Sequence, residues 1–101
     1  MFIYNVTTKV SWNIHDAWLK CMQQEYMPAM IATGCFIKYQ LSKLQEQNEE
    51  EGPTYVVQYF AESKALYNRY IEFYADVFRK EYAEKWGNNL VDFRTLLEVI
   101  E

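Results

Sequence analysis

The sequence predicts an α+β domain in which strands and helices follow the order β-α-β-β-α-β. Three observations carry that expectation. Several stretches alternate apolar and polar residues with a period of two, the signature of strands. Two longer stretches repeat their apolar residues at helical spacing. Each helical stretch ends at a glycine, Gly34 or Gly87, before a strand resumes. A chain of 101 residues forms one domain, residues 1–101. At this length roughly two-thirds of the unfolded surface is buried, so no metal or disulfide staple is required.

Phe2 to Val10 opens the chain as a strand. Phe2, Tyr4, Val6, Thr8 and Val10 share one face, which is the more apolar and is expected against helices; Ile3, Asn5, Thr7 and Lys9 share the other. Asn13 stands where a helix N-cap is expected, with Asp16 in the first turn, where the dipole favours an acid. Ile14, Trp18, Cys21 and Met22 line one side of that helix, and Leu19 and Tyr26 widen the stripe. Pro28 disfavours helical geometry at Met27, so the helix is expected to end or kink there, with one more turn before Gly34.

Cys35 to Gln45 reads as the second strand, followed by a polar hairpin loop from Glu46 to Pro53. Gly52-Pro53 leads into Thr54-Tyr55-Val56-Val57-Gln58-Tyr59-Phe60, whose β-branched and aromatic residues suit a central strand. Ser63 is the expected cap of the second helix. Leu66, Tyr70, Phe73, Tyr74, Val77 and Phe78 recur along it at helical spacing as far as Trp86. Leu90 to Ile100 is the last strand. This order is the split βαβ, or ferredoxin-like, plan: a four-stranded antiparallel sheet with both helices on one face. Right-handed crossovers place the first and third strands in the middle.

Composition excludes several classes of function. Half the residues are hydrophobic and 18% aromatic, and the net charge is −4. The basic residues form no stripe that would neutralise phosphates, which argues against nucleic acid. The acidic run Glu49-Glu50-Glu51 reads as a solvated loop. No long apolar run or signal peptide is visible, so neither a membrane partner nor a secreted location is expected; the chain reads as cytoplasmic with reduced thiols. Cys21 and Cys35 lack metal-ligand spacing, and both read as structural. His15, the one histidine, has no partner at ligand spacing, so no metal and no cofactor are expected.

The second sheet face directs the functional reading. By parity it is expected to carry Ile3, Phe36, Leu44, Val56, Phe60, Leu90 and Leu96, with Asn5, Thr7, Lys38, Gln58 and Arg94 among them. Covering each large apolar group is worth about 1.5–3 kcal/mol, and so broad an apolar patch marks an interface. The expectation is a homodimer packed sheet to sheet.

Tyr4-Asn5-Val6-Thr7, His15 with Trp18-Leu19, Ala32-Thr33-Gly34-Cys35-Phe36, Glu50-Glu51-Gly52-Pro53-Thr54-Tyr55 with Gln58-Tyr59-Phe60, and Phe93-Arg94-Thr95-Leu96 resemble a family of short bacterial proteins of unknown function. That family is assigned to the dimeric α/β-barrel superfamily. The resemblance spans nearly the whole chain and implies the ferredoxin-like fold and the barrel dimer, with no activity attached. Other members of the superfamily include cofactor-independent monooxygenases, haem-degrading oxygenases and stress-responsive proteins. Where the family pattern has His-Ile-Pro at the end of the first helix, this chain has Tyr26-Met27-Pro28.

The candidate pocket residues are Asn5, Gln58 and Arg94, with Tyr39 joining only if a bulge turns its strand. Two amides and a cation converging inside a barrel would orient a carbonyl or phenolate. Equally, they can satisfy one another, or carboxylates across the interface, as buried polar groups must. Arg94 cannot shed its charge and needs a carboxylate; Asp92 shares its face on the same strand. Two functional classes follow. One is a non-catalytic dimeric barrel with a small-molecule-binding or regulatory role. The other is a cofactor-independent monooxygenase or isomerase acting on a phenolic or polycyclic small molecule in the barrel. A cavity of at least about 300 Å³ separates them.

Overall fold

The computed structural model describes all residues, Met1–Glu101. Strand β1 (Phe2–Val10) leads to helix α1 (His15–Cys21), a π-helical segment (Met22–Tyr26) and helix α2 (Met27–Ala32). Strands β2 (Lys38–Lys43) and β3 (Thr54–Ala61) form the hairpin. Helices α3 (Lys64–Phe73) and α4 (Ala75–Trp86) then return the chain to β4 (Leu90–Glu98). The sheet order is β2-β3-β1-β4, every neighbouring pair antiparallel. This is the ferredoxin-like fold, with β1 and β3 in the middle as the crossover rule requires.

Local chemistry explains the element ends. Ser63 Oγ accepts the backbone N–H of Leu66 at 3.2 Å, so α3 starts where the sequence places its cap. Asn13 does not cap α1. Ile14 stands at that position, and the Asn13 amide instead donates to Asn89 Oδ1 at 3.1 Å, tying the first helix to the loop before β4. Pro28 lies one residue into α2, just past the π-helical segment. The missing N–H is absorbed by that wider turn, and the helix runs on to Ala32. Gly34, at φ +78°, then closes it.

The second helical stretch is not continuous. Tyr74 (φ −125°, ψ −35°) separates α3 from α4 and shifts the phase of the buried stripe. Phe73 and Val77, predicted on the buried side, therefore face solvent, while Ala75, Tyr82 and Trp86 take the core positions.

The core lies between the sheet and the helices. Tyr4, Phe36, Tyr59 and Tyr70 pack ring against ring with centroids 5.1–6.1 Å apart. Phe36 was expected on the outer face. β2 begins only at Lys38, so Phe36 belongs to the preceding loop and folds inward under α3. Leu44 lies one residue past the end of β2; its N–H still donates to Thr54 O at 2.8 Å, so it keeps the outer-face parity of Gln40 and Ser42 and is exposed.

The register also corrects the parity of β4. Val6 pairs with Arg94, Thr8 with Asp92, Tyr4 with Leu96 and Val10 with Leu90. Cross-strand partners share a face, so Leu90, Asp92, Arg94 and Leu96 point toward the helices. β4 is apolar on both parities, and alternation alone does not orient such a strand. The outer face instead carries Val91, Phe93, Thr95 and Leu97.

Candidate functional site

Of the four sequence-predicted pocket residues, two meet. Gln40, Gln58, Asn5 and Thr95 are successive cross-strand partners, one from each strand, on the outer face. Gln58 Nε2 donates to Asn5 Oδ1 at 3.2 Å, and Asn5 Nδ2 donates to Thr95 Oγ1 at 3.3 Å. The amides thus satisfy one another within the sheet. Tyr39 pairs with Tyr59, on the helix side of the edge strand, where its ring is exposed. Arg94 lies on the face opposite Asn5 and Gln58.

Arg94 belongs to a different cluster, between sheet and helices. Its Nη2 lies 3.3 Å from Asp92 Oδ2, the pairing its charge demands. Around this pair is a cavity of about 20 Å³. Its floor is Tyr4, Val6 and Thr8 of β1 with Val57 and Tyr59 of β3; its roof is Met22, Tyr26, Met30 and Tyr82. Strand alternation supplies the floor, and the π-helical segment supplies Met22 and Tyr26.

Two polar groups in this cavity have no hydrogen-bond partner in the chain. They are the hydroxyl of Tyr59, a residue 1% exposed, and Asp92 Oδ1, on a side chain 10% exposed. Groups so placed are uncommon in native interiors and call for a partner. Asp92 Oδ1, while ionised, can only accept; the Tyr59 hydroxyl both donates and accepts.

Burial sets the protonation states. Desolvation pushes the phenols of Tyr26, Tyr59, Tyr70 and Tyr82 far above the usual tyrosine range, so all are neutral hydroxyls. Burial also raises Asp92, opposed by the Thr8 hydroxyl and the Arg94 guanidinium. The cavity therefore offers one carboxylate as proton acceptor, held by a cation and surrounded by neutral phenols. Tyr82 is fixed from the other side, accepting the Trp18 indole N–H at 2.9 Å, and Arg79 donates to the Tyr4 hydroxyl at 3.1 Å.

Beyond Tyr26 and Tyr82 lies a second, more open space of about 190 Å³. Phe78 and Trp86 continue its aromatic wall with Ala29 beside them, and Cys21, Glu25, Glu81 and Lys85 edge it. Lys85 Nζ reaches Cys21 Sγ at 3.4 Å, a neighbour that the sequence, with the two residues far apart, does not reveal. His15 stands apart from both spaces. Its Nδ1 meets Asp16 Oδ1 at 2.8 Å, its Nε2 meets the Tyr55 hydroxyl at 2.7 Å, and its ring stacks on Tyr55. No three His, Cys, Asp or Glu side chains gather as a metal site.

The sequence reading missed Tyr26, Tyr59, Tyr82 and Thr8 as site residues. Tyr26 alone carried a signal, being the tyrosine immediately before Met27-Pro28.

Known structures share this architecture. A dimeric ferredoxin-like protein from an uncultured marine organism superposes with a TM-score of 0.72 at 18% identity, over 100% of this chain and 96% of its own. A variant of SnoaB, a cofactor-independent oxygenase from Streptomyces nogalater, gives 0.69 at 10% identity, over 99% and 94%. An ethyl tert-butyl ether degradation (EthD) family protein from Bacillus halodurans gives 0.66 at 10% identity, over 99% and 100%. At these identities the likeness is one of fold. No curated protein is similar enough in sequence to count as a relative. In sequence, residues 1–100 match the family described as a domain of unknown function (DUF4286), and the chain belongs to that family.

Proposed function

We propose that the protein is a homodimer packed outer sheet face to outer sheet face, a non-catalytic α/β barrel with a small-molecule-binding or regulatory role in the cytoplasm. The observation that carries this reading is the uncovered sheet face. Phe93, Val91 and Leu97 on β4 are 68%, 57% and 42% exposed. With Ile3, Val56 and Phe60 they flank the Gln40–Gln58–Asn5–Thr95 row on both sides. Two apolar bands with a polar seam between them are suited to a self-complementary partner, in which bands bury bands and amides meet amides. That the marine ferredoxin-like protein is itself dimeric supports a two-chain assembly. Both cysteines are free, which suits a reducing compartment, and no helix is long and apolar enough to cross a membrane.

The test is a charge in one of the apolar bands. Phe93→Lys replaces the most exposed outer-face ring in the fold and should yield a folded monomer. A Phe93→Lys protein that remains dimeric sinks the interface.

A second reading, a cofactor-independent oxygenase or isomerase acting on a phenolic molecule, is favoured by the Asp92–Arg94 pair, its carboxylate largely buried, beside the unpartnered Tyr59 hydroxyl. It is disfavoured by size, since about 20 Å³ is far below the 300 Å³ or so that a substrate chamber needs.

A further inference from the structure

One row of side chains crosses the whole outer face: Gln40, Gln58, Asn5 and Thr95, one from each strand. None of the four is apolar and none is charged. The rows on either side are of the opposite kind. Phe60, Ile3 and Leu97 make up one, and Val56, Thr7 and Phe93 the other. The cation of the first row, Lys38, stands on the edge strand β2 with its ammonium 4.6 Å from the centre of the Phe60 ring. Asn5 is bonded on both sides, accepting from Gln58 and donating to Thr95. These bonds lie within one sheet and fix which way each amide is turned. They leave Gln58 Oε1, the Thr95 hydroxyl proton and the second N–H of both amides unspent.

We propose that this row is the register lock of the sheet-to-sheet dimer: it decides where the second copy sits, and the apolar bands hold it there. This deepens the homodimer reading and rests on it.

The chemistry of the row suits a second copy as its partner. Groups that each donate and accept can face their own copy; a row of carboxylates or of ammoniums could not. The apolar bands choose an alignment only weakly, because apolar burial has no direction. Sliding one copy by two residues along the strands, about 7 Å, lays each amide row on an apolar band. The unspent donors and acceptors are then buried without partners, which interiors avoid. A single buried asparagine fixes alignment in coiled coils in the same way, at some cost in stability.

The experiment replaces the row with apolar residues, Asn5→Val, Gln58→Leu and Thr95→Val together. The native protein should be a dimer by sedimentation equilibrium, with one amide signal per residue. The triple variant should still associate but show more than one amide signal for Thr7, Val56 and Phe60, which lie beside the row. Asn5→Asp keeps the size and sets a carboxylate against its own copy; it should dimerise at least about tenfold more weakly than the native protein at neutral pH. One signal per residue in the triple variant, or an Asn5→Asp dimer as tight as the native one, overturns the lock and leaves the dimer standing. If the triple variant does not fold, Asn5→Asp alone decides. A native protein that is a folded monomer overturns the lock and the dimer together.

Discussion

Gly52→Ala tests how β1 is tied to the hairpin loop. Gly52 is buried at φ +150°, a conformation that side chains avoid. A Cβ there would lie 1.7 Å from the carbonyl oxygen of Val10 and 2.7 Å from its carbon. The obstacle is backbone at the end of a central strand, so the loop has to move. Moving it breaks the bonds that seat it: Val10 N–H to Pro53 O at 2.9 Å and Trp12 N–H to Glu51 O at 3.3 Å. Backbone strain of about 1–3 kcal/mol and two hydrogen bonds at about 1 kcal/mol each sum to roughly 3–5 kcal/mol. For a domain of this size each kcal/mol moves the melting temperature by about 4–8 °C. Gly52→Ala should therefore melt at least about 12 °C below the native protein, with a matching fall in urea midpoint. A loss below about 1 kcal/mol would show that the loop is not pinned against Val10.

Other expectations follow from individual contacts. Tyr82→Phe leaves the buried Trp18 indole N–H without its acceptor and should cost about 1–3 kcal/mol by urea denaturation; a neutral result would mean the bond is not made in solution. Because burial raises Asp92 above its unfolded value of 3.8, its contribution to stability is greatest below that value and is lost as pH rises through the higher folded one. The stability of the native protein relative to Asp92→Asn should accordingly fall as pH rises above about 4; a difference that grows instead would mean the Arg94 pairing outweighs desolvation. Cys21, half-buried beside Lys85, should react with a thiol reagent well before the fully buried Cys35; equal rates would contradict the packing around α1.

The fold was legible because its signals are local. Alternation in β1 and β3, the Ser63 cap and the Gly34 stop each depend on a few neighbouring residues. The site was less so, because it depends on register. Asn5 and Gln58 were paired correctly, since β1 and β3 each have one clearly apolar face. β4 has two, with Leu90 and Leu96 on one parity and Val91, Phe93 and Leu97 on the other, and only its hydrogen-bonded register with β1 decides between them. That ambiguity put Arg94 on the wrong face and hid the cavity it shares with Asp92. Tyr82 was invisible for a related reason. The break at Tyr74 resets the phase of α4, so a stripe extrapolated from α3 points Phe73 and Val77 inward and overlooks Tyr82.

The proposed assembly stands or falls on whether a second copy of the chain covers the outer sheet face. Sedimentation equilibrium of the native protein at micromolar concentration measures this directly. A sheet-to-sheet dimer gives a single species of twice the 12.2 kDa chain mass. A folded species at the mass of one chain would contradict it.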